Sequence, residues 1–218
     1  MKKNKQYFEE RMTSRYLRER GIIMANKVRY GLKNVHVASV TIAESQGQQT
    51  VTFGTPQAWV GAVNMSMEPT GDTSDFYADD SLYFTGRGTA GYDCSLETAL
   101  VPDWFYTDYL GMHTDDANNI VETGSDEGKY FAFLFEFTGD VNAIRHCLYY
   151  CKASAPTEEG ETKGESAEPA TTTVEFKASP IPVAVQIDGE DKNVVKKRST
   201  PSSTDYGTWY TTVALPTF

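Results

Sequence analysis

The sequence predicts a mainly β fold: a two-sheet β-sandwich or partly open barrel with one flanking α-helix. Three observations lead there. Short stretches in which apolar and polar residues alternate recur along the chain, and period-two alternation is the signature of a strand buried on one face. Thr, Val, Tyr and Phe are abundant, with 13 Tyr and 11 Phe, and such side chains fit a pleated, half-buried surface. Only one segment carries the start and stop signals of a helix. With 39% hydrophobic residues in 218, the chain can bury one sizeable core, so a single domain suffices.

The elements follow in order. "KNVHVASVTI" (33–42) alternates, with Val35, Val37 and Ser39 on one side and His36, Ala38 and Val40 on the other. "ESQGQQT" (44–50) is a polar turn region. "AWVGAVNMSME" (58–68) sets Val63, Met65 and Met67 against Asn64, Ser66 and Glu68. After a turn at "PTGD" a strand resumes near Phe76. "TGRGTAG" (85–91) is a Gly-rich link whose glycines do not follow a strand and open a helix, as a phosphate cradle requires. "GYDCSLETALVP" (91–102) puts Tyr92, Cys94, Leu96, Thr98 and Leu100 on a core face. Asp93, Ser95, Glu97 and Ala99 fall on a small, acidic face. "PDWFYTDYLGMH" (102–113) is the helix: Pro102 and Asp103 suit its start and Gly111 its end. Trp104, Tyr106 and Leu110 would pack it onto a sheet.

"KYFAFLFEFTGDVNAIRHCLYYCKAS" (129–154) reads as a hairpin turned at "TGD". Its first arm, with Phe131, Phe133, Phe135 and Phe137, is apolar on both faces. It must therefore be covered on both, by a second sheet, the helix or another subunit. Residues 155–170 hold five Glu and one Lys and are too polar to pack a core. "TTTVEFKAS" (171–179) and "VAVQI" (183–187) resume as strands. Residues 188–207 are polar, with a basic patch at Lys196, Lys197 and Arg198. "TWYTTVALP" (208–216) is the expected closing strand. The sum is eight or nine strands and one helix, with no repeat of solenoid period.

Charge narrows the function. The net charge is −10, whereas tight binding of nucleic acid phosphate needs Lys and Arg. An acidic surface also disfavours docking on anionic membrane, and no apolar run approaches the ~20 residues of a span. Residues 1–23 stand apart: seven Lys/Arg against three Glu make them +4, leaving −14 on the other 195. They lack the apolar middle of a secretory signal. They are expected to be a basic leader, disordered or helical, lying upstream of a true start at Met24; a docking arm is the alternative. The domain proper is expected to span 24–218.

Three cysteines, an odd number, argue against a disulfide framework. Cys147 and Cys151 on a strand, at ~3.3 Å per residue, lie too far apart to bridge and read as core thiols. A zinc site built with His146 lacks a second ligand pair.

The densest cluster of acids is "MSMEPTGDTSDFYADDSLYF" (65–84), where Glu68, Asp72, Asp75, Asp79 and Asp80 stand among Phe76, Tyr77 and other aromatics. These carboxylates could bind a metal, catalyse, or line a surface that repels something. They lack the spacing of a calcium loop. His36, His113 and His146 stand in unrelated contexts, no Ser sits in a nucleophile elbow, and no Cys has a catalytic neighbourhood. Glycosidase carboxylates are defined by spacing in space, which sequence does not give. No enzyme, cofactor or metal is expected. A carbohydrate-binding β-sandwich module would use Trp59, Trp104 and Trp209 as sugar-stacking faces, yet each lies within an apolar pattern. Acidic faces, polar loops and a doubly apolar strand fit a structural assembly protein better.

From "MANKVRYGLKNVHVA" onward an ordered series extends this reading: "VRYGLKNVHVA", "GAVNMSMEPTGDTSDFYADDSLYF", "GYDCSLETALVPDWF", "FAFLFEFTGD", "RHCLYYCKASAP" and "TWYTTVALP". In order and spacing it resembles the phage major tail proteins, the tube subunits of long non-contractile tails. The resemblance covers residues 24–218 and implies the bare tube module, without an appended immunoglobulin-like domain. It implies six copies per ring and rings stacked into a hollow tube, with sheets joined into a continuous barrel that the genome crosses at ejection. The partners implied are other copies, then the tape measure, tail terminator and distal tail proteins. Double-stranded DNA is met only in transit, and no membrane is involved. The implied place is the virion tail, after assembly in the host cytoplasm. Asp93 and Glu97 are then candidates for the lumen, where an acidic wall repels DNA at close approach, within the ~8 Å reach of unscreened charge. Glu68, Asp72, Asp75, Phe76, Tyr77, Asp79 and Asp80 are candidates for ring or stacking contacts, with loops 44–50, 68–75 and 155–170. Phe131, Phe133, Phe135 and Phe137 are candidates for a core or inter-subunit strand.

Overall fold

The computed structural model describes residues 31–71, 73–78, 81–87, 91–140, 142–157 and 170–218, with backbone alone for 73–78 and 81–87. The leader 1–23 and the greater part of the acidic loop 155–170 lie outside these residues. The strands are β1 (Leu32–Ser45), β2 (Gln48–Phe53), β3 (Gln57–Ala58), β4 (Ala62–Thr70), β5 (Thr73–Ala78), β6 (Ser81–Arg87) and β7 (Gly91–Thr98). Helix α1 (Asp103–Asp108) follows. Then come β8 (His113–Thr114), β9 (Ile120–Val121), β10 (Phe131–Phe137), β11 (Arg145–Ala153), β12 (Thr172–Ala178), β13 (Ala184–Ile187), β14 (Glu190–Asn193) and β15 (Lys196–Ser199).

Nine strands form one sheet in the order β2-β1-β10-β11-β12-β7-β4, with β15 beside β11 and β3 beside β1. Every ladder is antiparallel. The pairs β5–β6, β8–β9 and β13–β14 stand off it as hairpins. The β1–β2 turn is two residues, Gln46 and Gly47, both with positive φ (53° and 76°), the backbone that a tight twisted hairpin demands. Gly91 opens β7 against β12 so closely that a Cβ there would sit 2.2 Å from the Ala178 carbonyl oxygen.

The sheet curls back on itself. β3 pairs with β1 at one end and β4 with β7 at the other, and only Trp59–Gly61 separate β3 from β4. The Trp59 N–H donates to the Val35 carbonyl and the Ala99 N–H to the Gly61 carbonyl, both at 2.8 Å. These bonds bring the two ends of the sheet together. No ladder joins β1 to β4 among the described residues, so the curl stays open at that seam.

Inside the curl, Val35, Val37, Leu96, Phe131, Phe133, Phe135, Val174 and Phe176 form the main core. Helix α1 packs its Phe105 into it, with ring centroids 4.6 Å from Trp59 and 5.6 Å from Phe131. The outer face splits in two. Over β1, β10 and β11 it is apolar, and Ala38, Ala132, Leu134, Cys147 and Tyr149 are roofed by Ile181 and Trp209. Over β12, β7 and β4 it is polar and open. The arm Phe131–Phe137 is thus covered on both faces by its own chain: Phe131, Phe133 and Phe135 are buried and Phe137 half-buried.

Several expectations need correction. A bulge between Ala62 and Asn64 turns Val63 outward, because an extra residue shifts the alternation. Leu100 is exposed, since β7 ends at Thr98 and the chain turns before Val101 enters the core. The helix spans six residues, and Phe105, Tyr109 and Leu110 are buried while Trp104 and Tyr106 are half-buried. The polar stretch 188–207 contains β14 and β15. Residues 208–216 form no strand. A 3-10 turn at Tyr206–Thr208 lays Trp209, Val213 and Leu215 across the apolar outer face instead. The described residues hold fifteen strands, not eight or nine, because short hairpins lie in loops the alternation did not reach.

Candidate assembly surfaces

The open face is built by register. Across β4, β7 and β12 three rows lie side by side: Glu68–Asp93–Lys177, Ser66–Ser95–Glu175 and Asn64–Glu97–Thr173. Alternation forces this, because Met65, Met67, Cys94, Leu96, Val174 and Phe176 all point into the core. The sequence therefore put Asp93 and Glu97 on the correct side of their strand, opposite the core. It did not show their neighbours. Lys177 Nζ stands 3.3 Å from Asp93, and Thr171 Oγ1 donates to Glu97 at 2.7 Å, so the face is not unpaired. The Lys177–Asp93 pair is exposed, and such pairs contribute ~0–1 kcal/mol. Four carboxylates against one ammonium still leave the rows at −3.

The other expected contact residues divide. Glu68 joins this face beside Asp93. Asp75, Phe76 and Tyr77 lie on β5, opposite Thr85, Phe84 and Leu82 of β6. Asp72, Asp79 and Asp80 lie outside the described residues, as do the side chains of 73–78.

A buried polar cluster escaped the sequence reading. Glu136, 4% exposed, sits at the end of β10. Its carboxylate accepts from Asn34 Nδ2 at 2.5 Å and from Arg145 Nε at 3.2 Å, with Lys33 Nζ 3.3 Å away. Arg145 in turn donates to the Tyr206 carbonyl and lies over the Tyr206 and Tyr210 rings, 3.8 and 4.9 Å from their centroids. The cluster pins the C-terminal segment to β1, β10 and β11. One acid inside an otherwise apolar arm, "FAFLFEF", was the available signal.

All three cysteines are free and buried. Burial pushes the Cys94 thiol up to about 12, aided by the neighbouring Asp93 charge, and raises Cys147 and Cys151 further. His146 stacks on Phe135 with ring centroids 4.9 Å apart, while Cys147 lies in the outer cluster with Trp209. Consecutive strand positions face opposite ways, which separates these two as ligands. Among the described residues no group of three or more His, Cys, Asp or Glu side chains could hold a metal ion.

The tryptophans are packing residues. Trp59 and Trp209 are 4% and 5% exposed. Trp59 Nε1 donates to the buried Thr98 hydroxyl at 3.1 Å, and half-buried Trp104 meets the Trp59 ring edge-on. No helix among the described residues is long and apolar enough to cross a membrane.

The described residues thus form a curled, mainly β domain with an open, charged sheet face. The chain belongs to the phage tail tube protein family, whose family model matches residues 23–216. No curated protein matches it. Membership makes it a structural component of a phage tail, and hence of the virion.

Proposed function

We propose that this chain is the tube-forming subunit of a long tail. Six copies close into a ring, rings stack into a hollow tube, and the phage genome passes through it at ejection. The observation that supports this most, beside family membership, is the divided outer face of the sheet. The chain roofs the apolar half itself and leaves the −3 rows of β4, β7 and β12 open. An open acidic wall suits a conduit for DNA, because it keeps phosphate at a distance without a binding site. Asp93 and Glu97 are assigned to that wall.

The role is structural, with no reaction and no cofactor. Copies of the chain are the first partners. The tape measure, tail terminator and distal tail proteins are the others, and DNA is met only in transit, with no membrane. Assembly takes place in the host cytoplasm. Residues 1–23 are a basic leader outside the tube domain 24–218. Electron microscopy of the purified protein tests the reading: six-membered rings or tubes are expected. Dispersed monomers at every concentration would refute it.

A further inference from the structure

We infer that Tyr130 and Tyr150 form a site of oxidative modification, at which a one-electron oxidant joins the two rings into a dityrosine within one chain. The site is a property of the folded chain and does not rest on the tube reading.

The ladder between β10 and β11 places the pair. Phe131 pairs with Cys151 and Phe133 with Leu148, so Tyr149 and Tyr150 stand together opposite Ala132. Such an extra residue interrupts the alternation of a strand. Leu148 and Cys151 accordingly belong to the inner core, whereas Tyr149 lies in the outer cluster and Tyr150 packs against it. The bulge thus sets Tyr150 on the outer side, diagonally across from Tyr130, within the reach of large side chains on neighbouring strands. Both backbones are held. The Tyr130 carbonyl accepts from the Val40 N–H at 3.1 Å and the Tyr150 carbonyl from the Ser179 N–H at 2.9 Å.

The rings lie face to face, with centroids 3.8 Å apart and planes 6° from parallel. Aromatic pairs ordinarily prefer offset or edge-on arrangements with centroids ~4.5–7 Å apart. At the separation seen here ring carbon meets ring carbon at the ~3.5–4.0 Å of direct contact. The two hydroxyls are hydrogen-bonded to each other, so the rings are aligned the same way and their ortho carbons lie one over the other. Burial, with the Tyr130 hydroxyl beside it, pushes the Tyr150 phenol up to about 12, and at neutral pH its proton leaves together with the electron. Both rings are half-buried and so remain within reach of a small oxidant.

The chemistry balances. Each phenol gives up one electron and its hydroxyl proton, and the unpaired spin spreads to the ortho carbons. The two radicals join through one ortho carbon each. The hydrogens on those carbons then move to the oxygens and restore both hydroxyls, so the product is poorer by two hydrogen atoms. Hydrogen peroxide, reduced to two waters through a haem peroxidase, takes both electrons.

The three thiols are free and buried, which leaves this phenol pair as a place where a covalent link needs no movement of the backbone. A virion component leaves the reducing interior of the cell for oxidising surroundings. The link would span 20 positions of the chain. A cross-link over a loop of that size constrains the unfolded chain, and the linked protein should show a urea midpoint higher by about 1 M.

The test is oxidation of the dilute, full-length protein with hydrogen peroxide and a haem peroxidase, followed by a trypsin digest. Trypsin cuts after Lys129, Arg145 and Lys152. Residues 130–145, which hold Tyr130 as their one tyrosine, should leave joined to residues 146–152, two hydrogen atoms lighter than the sum of the two peptides. The intact product should run as a single chain on a denaturing gel and carry dityrosine fluorescence. Tyr130→Phe and Tyr150→Phe keep the rings and should each lose the joined peptide. Oxidation that leaves 130–145 and 146–152 separate would overturn the inference, as would links confined to other tyrosines or to pairs of chains. A joined peptide that survives in Tyr150→Phe would overturn it too. Where a variant melts earlier than the parent, the digest of the parent alone decides. None of these results bears on whether rings form, so the two readings fail separately.

Discussion

Replacing Arg145 by Ala tests what holds the C-terminal segment in place. The substitution strips the buried Glu136 carboxylate of its 3.2 Å partner and removes the guanidinium from between Tyr206 and Tyr210. Breaking a buried ion pair from one side destabilises by ~3–5 kcal/mol. Lys33, 3.3 Å away but half-exposed, compensates in part, which points to the lower end, about 3 kcal/mol. Loss of the cation–π contacts adds ~0.5–1 kcal/mol. Against a total stability of ~5–15 kcal/mol, this is a large fraction. With a urea slope of ~1–3 kcal/mol/M, the midpoint should fall by about 1 M or more. The double variant Arg145→Met with Glu136→Leu should recover most of the loss, because no buried charge is left without a partner. The assay is urea unfolding followed by tryptophan fluorescence, which reports Trp209 in the pinned segment. A loss below ~1 kcal/mol for Arg145→Ala, or a double variant as unstable as the sum of its singles, would refute the cluster as an energetic unit.

Four further outcomes follow from the structure. Phe133→Asp puts an unpaired carboxylate at a 1% exposed site against Phe176, at a cost of several kcal/mol; soluble, assembling protein would contradict the buried arm. Asp93→Lys with Glu97→Lys shifts each subunit by +4 and the proposed ring by about +24. The resulting tubes should bind double-stranded DNA in a salt-sensitive way and eject it poorly. Failed assembly would instead put the face at a subunit contact, and unchanged DNA retention and ejection would put it outside the lumen. A chain beginning at Met24 should melt and assemble like the full one, and an early melt would make residues 1–23 a docking arm. Cys94 titrates at about 12 in the fold, against an ordinary 9.0, so the folded state holds a proton that the unfolded chain releases. Its contribution to stability is full below pH 9 and declines as pH rises toward 12; a chemical melt insensitive to pH across that window in the parent, relative to Cys94→Ala, would contradict this.

Strand alternation was legible wherever one face is buried by distant parts of the chain. Residues 33–42 and 91–98 split in the structure as their alternation predicts, and 131–137 reads as doubly apolar because both of its faces are roofed. The same logic failed at Val63, where one bulged residue moves a side chain to the other face. It failed again at 208–216, whose β-prone composition serves a segment lying across the sheet rather than within it. The parity of Asp93 and Glu97 was legible because it is local. Their partners Lys177 and Thr171 were not, because register between β7 and β12 is set across a long stretch of chain. Glu136 was missed for the same reason: a lone acid in an apolar run has no local partner, and Lys33 and Arg145 reach it from two other strands.

The division of the outer face between covered and uncovered halves bears on what a subunit presents to its surroundings. Had the outer face been apolar throughout, it would have presented a large patch to any hydrophobic surface. The C-terminal segment removes the apolar half from view, and the acidic rows make like faces repel. Beside the acidic rows, Val60, Val63 and Leu100 stay exposed at the turns that flank β4 and β7. In the proposed ring, the same acids that repel the faces of free subunits would repel the passing genome, so one surface would act both before and after assembly.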